Sequence, residues 1–145
     1  LIAVVLLLNI LTYAVSVVRY YGSGMEPALE GGQLLIIDKL GNIAEGDIIA
    51  FYYNNKVLIR RIVGEGGKTI SISETGRVSV NGEMLEEAYV EDFSIGLCDI
   101  SFPYSIPYGH VFVLGDNRTI AMDSRLRAIG TIPEENIIGR VVGIL

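Results

Sequence analysis

At 145 residues the chain can hold one modest domain with a true core and leaves no room for a large second one. Half of its residues are hydrophobic and the mean hydropathy is +0.46, high for a domain that meets water on all sides. The net charge of -6 argues against nucleic acid, whose phosphates demand a basic surface. A lone cysteine, Cys98, and a lone histidine, His110, exclude an intrachain disulfide and a Cys/His metal cluster, so both are read as structural and no metal or cofactor is expected.

In chain order, the first element is an apolar run over residues 1–18, interrupted only by the uncharged Asn9, Thr12, Tyr13 and Ser16. About 18 such residues nearly span a bilayer, so the run predicts a transmembrane helix, with a β domain over residues 19–145. Arg19, Tyr20 and Tyr21 follow where a secretory signal peptide would carry a small-residue cleavage site, which favours an uncleaved anchor. The sequence begins inside the apolar run, so the flanking charges that would set orientation are missing and the positive-inside rule cannot be applied. Beyond residue 21 the helical period vanishes, and short β-branched runs separated by Gly, Asn and Asp take over.

Strands are predicted at residues 34–38, 47–53, 56–63, 69–73, 77–80, 110–114 and 138–144. Asn54 and Asn55 read as a tight hairpin turn and Asn81-Gly82 as another, while residues 94–108, with Pro103 and Pro107, read as an irregular surface loop. The expected class is mainly β, an antiparallel sheet fold behind an N-terminal transmembrane helix.

Four segments carry a resemblance. They are Gly22-Ser23-Gly24-Met25-Glu26-Pro27-Ala28-Leu29, Gly46-Asp47-Ile48-Ile49-Ala50-Phe51, Leu58-Ile59-Arg60-Arg61-Ile62-Val63-Gly64, and Gly115-Asp116-Asn117-Arg118 continued by Asp123-Ser124-Arg125. In order and spacing they resemble bacterial type I signal peptidases, membrane-bound serine proteases with a Ser-Lys dyad, over nearly the whole chain. The second segment alone is weak, since many hairpins read this way; the last is the most specific. The resemblance implies antiparallel sheets with a hydrophobic substrate groove beside the membrane, on a domain outside the cytoplasmic membrane. It places that groove between residues 20–25 and 57–60, lined by Gly22, Ser23, Met25, Pro27, Val57, Leu58 and Ile59. It also implies a structural set, Asp116, Asn117, Arg118, Asp123 and Arg125, in which Asp123 pairs with Arg125 or Arg118 to fix the turn.

The same alignment puts Gly24 at the nucleophile position and Arg60 at the lysine position. Glycine has no side chain with which to attack, and a guanidinium is not deprotonated in a protein, so it cannot serve as the base. Ala121 stands where the family carries a serine that supports the lysine. The chain is therefore expected not to cleave.

Ser23 is the alternative nucleophile; if its segment is extended, its side chain points away from the face that position 24 presents. Ser124 is read as structural, Lys56 as a solvated charge, and Arg60 either as a filler of the lysine's space, bonded to carbonyls or a carboxylate, or as a surface residue. The same residues would also result from deliberate inactivation of an ordinary signal peptidase. Inactive relatives in Gram-positive bacteria are linked to pilus assembly as pilin chaperones beside sortases. The resemblance thus implies as partners a pilin or preprotein segment, a sortase and membrane lipid, with binding that needs no dyad because main-chain hydrogen bonds carry much of it.

Overall fold

A computed structural model describes all 145 residues. It opens with helix α1 (Ile2–Ala14), after which eleven strands follow: β1 (Val15–Arg19), β2 (Leu34–Asp38), β3 (Ile48–Tyr53), β4 (Lys56–Glu65), β5 (Thr69–Ile72), β6 (Val78–Val80), β7 (Glu83–Met84), β8 (Tyr104–Ser105), β9 (His110–Leu114), β10 (Ile132–Pro133) and β11 (Ile137–Ile144). All pairings are antiparallel. They form a seven-stranded sheet in the order β1-β2-β11-β3-β4-β9-β10 and a four-stranded sheet in the order β7-β6-β5-β8. The mainly β antiparallel expectation holds.

The apolar run, however, is not helical throughout. The apolar run divides at Ala14: β-branched Val15, Val17 and Val18 lie in β1, which pairs in register with β2 from Val15 opposite Asp38 to Arg19 opposite Leu34. What stays helical is 13 residues, about 20 Å at 1.5 Å per residue against about 30 Å of hydrocarbon core, and no helix is long and apolar enough to cross a membrane. Strand β1 therefore lies largely within the run expected to be the anchor, residues 1–18. Lys39 ties the end of α1 to the sheet: its backbone N–H donates to Ala14 O at 2.9 Å and its Nζ to Thr12 O at 2.8 Å. No residue of α1 is buried.

The strands read from β-branched runs appear within a residue or two of their expected ends. Strand ends scatter because pairing, and not side-chain type, terminates them. Asn54 and Asn55 both take positive φ (46° and 60°), the geometry that lets a two-residue turn follow the strand twist between β3 and β4. The surface-loop expectation for residues 94–108 needs correcting. Tyr104–Ser105 pairs with β5, and Ile106 is buried with Ile70, Ile72, Val78, Val80, Phe112 and Leu114 in the core between the two sheets. A second core joins Tyr20, Met25 and Leu29 to Leu35, Ile37, Ala50 and Ile59, and so anchors the 22–29 turn region onto the large sheet.

Candidate functional site

Strand β4 positions the site. From Lys56 to Arg61 it pairs with β3, but β9 joins its other side only from Arg61 onward. The second edge of residues 56–60 is therefore open, and it borders a groove of about 370 Å³. Gly22, Ser23 and Gly24 form part of the opposite wall, while Ile120, Ala121 and Met122 complete the lining beside them. Every charged residue in that lining is basic, namely Lys56 and Arg60, although the chain as a whole is acidic.

Arg60 is buried, 8% exposed. Its Nε donates to Met122 O at 2.9 Å and its Nη1 to Ile59 O at 2.6 Å, and no carboxylate stands within ion-pair distance. Burial pushes its pKa down, with the more distant Asp123 charge pulling it partly back; the group stays cationic all the same, as a guanidinium does in proteins. Gly24 faces it. A Cβ at Gly24 would lie 3.1 Å from Nη2, 3.2 Å from Cζ and 3.3 Å from Nη1 of Arg60, so the missing side chain and the large guanidinium occupy complementary space.

The Gly115-Asp116-Asn117-Arg118 turn holds that wall in place. Asn117 donates from its backbone N–H to Gly24 O at 3.0 Å and from Nδ2 to Ser23 O at 3.1 Å. Gly115 allows the close approach, since a Cβ there would fall 2.6 Å from Gly24 O. Three ion pairs, two of them fully buried, lock the turn. Asp123 accepts from Nε and Nη2 of Arg125, each at 2.8 Å, and takes the Gly115 N–H at 2.9 Å. Arg118 donates to Gly115 O and makes a two-point pair with Glu87. Asp116 receives a two-point pair from Arg61, whose guanidinium also stacks 3.9 Å from the Tyr89 ring. Burial pulls the Arg61 pKa down, but hydrogen bonding to Asp116 and its charge outweigh this, leaving it raised. Arg125, then, and not Arg118, is the partner of Asp123.

The expected groove residues do not all meet. Gly22, Ser23, Val57, Leu58 and Ile59 line the groove; Met25 is wholly buried in the core beneath the turn, where Tyr20 Oη accepts its N–H at 3.1 Å. Pro27 lies instead in a separate polar cleft with Glu26, Glu30, Glu91 and Asp92. Residues 22–29 form turns and bends, not the extended strand expected, so the alternation that would turn Ser23 away from the groove does not apply. Ser124 is buried and accepts the Val113 N–H at 3.0 Å through Oγ. His110 is hydrogen bonded to Thr131, and Cys98 is a free thiol.

The family model described as signal peptidase, peptidase S26 matches residues 1–145. The chain belongs to this family. It is 36% identical to a signal peptidase I of Leptolyngbya laminosa over 97% of this chain and 73% of that protein. It is 30% identical to signal peptidase I T of Bacillus subtilis (strain 168), covering 81% of this chain and 67% of the relative. The crystal structure of a signal peptidase I from Enterococcus faecalis V583 superposes with a TM-score of 0.58 at 26% identity, over 70% of this chain and 98% of the other.

Within this signal peptidase scaffold, sequence reasoning missed Glu87 and Tyr89, which complete the ion-pair shell, and Tyr53, Ile120, Met122 and Ile129 in the groove. Glu87 sits in an acidic stretch with no local mark of burial. Met122 had a signal, being the residue between Ala121 and Asp123 in the motif, but its carbonyl matters and not its side chain.

Proposed function

We propose that the chain binds an extended preprotein or pilin segment in its groove without cleaving it, and serves as an assembly chaperone on the outer side of the cell membrane. The observation that carries the reading is the Arg60 guanidinium packed against Gly24. By the family alignment these are the base and nucleophile positions, and neither residue can abstract a proton or attack a carbonyl. The open edge of β4 over residues 56–60 offers main-chain donors and acceptors to an added strand, which needs no dyad. The all-exposed apolar surface of α1 favours a membrane location, as does the family; a sortase would be a neighbour in such an assembly.

The test is cleavage of a preprotein in detergent micelles by the chain as it stands and by the Gly24→Ser, Arg60→Lys double variant. No product from the first and product from the second is the expected pair of results. Product from the unaltered chain would refute the reading.

One observation favours a second reading, an active signal peptidase that uses Ser23: that residue lines the groove beside Gly24. It predicts turnover by the unaltered chain that disappears in Ser23→Ala.

A further inference from the structure

Arg60 presents a problem that the reading above does not solve. A side chain 92% removed from solvent, by its 8% exposure, carries a permanent charge with no counterion. Leaving a buried charge uncompensated costs several kcal/mol in general, and two carbonyl acceptors on Nε and Nη1 offset only part of it. The other three arginines around the turn, Arg61, Arg118 and Arg125, each have their own carboxylate, and Asp123, the acid that acts most on Arg60, is already held at two points by Arg125. Nη2 of Arg60 makes no hydrogen bond to protein and lies on the groove side, against Gly24.

The surroundings select what could supply the missing charge. The groove lining contains no Asp or Glu, is mostly apolar, and carries Lys56 four residues away on the same strand, roughly 13 Å at 3.3 Å per residue. Past Gly22, which borders both, lies the polar cleft with Glu26, Glu30, Glu91 and Asp92, which repels an anion. An anionic group is therefore drawn to Arg60 and turned back at the ridge. An added strand meets competition there too, because the Ile59 carbonyl already accepts one hydrogen bond from Arg60 Nη1. A chain that ends at this point meets all three conditions, whereas one that continues must cross into the acidic cleft.

Resting on the peptide-binding reading, we infer that the groove takes the free C-terminal end of an apolar extended peptide, its α-carboxylate paired with the Arg60 guanidinium in front of Gly24. A charge-assisted bond of this kind, formed away from water, favours the free acid over a neutral amide by about tenfold or more.

The experiment compares three fluorophore-labelled hexapeptides of alternating alanine and valine on the full chain by anisotropy. The first ends in a free carboxylate, the second in an amide, and the third in an amide preceded by one glutamate. The free acid is expected to bind at least tenfold tighter than either amide, and Arg60→Met to bring acid and amide to within about twofold of each other. Equal binding of acid and amide by the unaltered chain would overturn the inference and leave peptide binding standing. A glutamate amide equal to the free acid would overturn it as well, by assigning Arg60 to a side chain. If no peptide binds, the groove reading fails, and the inference with it. Because the first comparison uses the unaltered chain, the test holds even if Arg60→Met does not fold.

Discussion

Gly24→Ser tests how tightly the site is fitted around Arg60. The new Cβ would sit 3.1 to 3.3 Å from three guanidinium atoms, where carbon contacts are ordinarily about 3.5 to 4.0 Å, and Oγ adds a further atom. The guanidinium cannot retreat freely, since bonds of 2.9 Å and 2.6 Å hold it to Met122 O and Ile59 O. Overpacking of this kind costs about 1 to 3 kcal/mol. Arg60→Lys alone removes the fork that serves both carbonyls and leaves at least one of them unpaired, also about 1 to 3 kcal/mol. In the double variant the shorter lysine vacates the space that a serine side chain at position 24 needs, so the two costs should not add. A coupling of about 0.5 to 3 kcal/mol in the stabilising direction is expected. Urea unfolding followed by tyrosine fluorescence measures it; the chain has eight tyrosines and no tryptophan to mask them. Additivity within about 0.5 kcal/mol would show that the guanidinium and residue 24 do not share space, and the steric argument would fall.

Glu87→Ala strands Arg118, whose side chain is 1% exposed, without its carboxylate, and should cost about 3 to 5 kcal/mol in the same urea assay; a loss under about 1 kcal/mol would mean that the pair is not closed in solution. Ser124→Ala leaves the buried Val113 N–H with no side-chain acceptor and should cost about 1 to 3 kcal/mol without changing peptide binding, as read by urea midpoint and by anisotropy. Burial, then the neighbouring Glu87, raises the Tyr89 phenol above its ordinary value near 10, so the folded state holds its proton longer than the unfolded state. Stability should therefore fall relative to Tyr89→Phe as pH rises past about 10, and a constant difference between the two from pH 8 to 12 would count against this environment.

How far the sequence could be read depended on range. Five of the seven strands of the large sheet, all but β1 and β10, were legible because segments such as Leu34 to Asp38 or His110 to Leu114 are β-branched or apolar runs closed by turn residues, a signal that lies within each segment. The family was legible because Gly24, Arg60 and Ala121 fall inside motifs with fixed spacing. Less legible was anything decided by a partner elsewhere in the chain. Val15 to Val18 suit a helix in lipid as well as a strand, and the pairing with β2 decides between them. Met25 and Pro27 share a motif with Gly24, but a turn sends one into the core and the other to a different cleft. Glu87 reads as one more acid on an acidic chain until Arg118, 31 residues on, makes it half of a buried pair.

That arrangement also explains how the contents of the site can differ while its frame persists. Arg61, Arg118 and Arg125 each close a pair with Asp116, Glu87 or Asp123, and removing either member leaves the other charge buried alone. These pairs fix the turn, and the turn fixes Ser23 and Gly24 through Asn117. Residues 24 and 60 contribute no member to any of the pairs: one has no side chain, and the other bonds only to carbonyls. The groove wall is thus held by ion pairs to which neither residue 24 nor residue 60 contributes. On the proposed reading, substitution at 24 and 60 alters the chemistry of the groove while leaving intact the ion pairs that hold its wall.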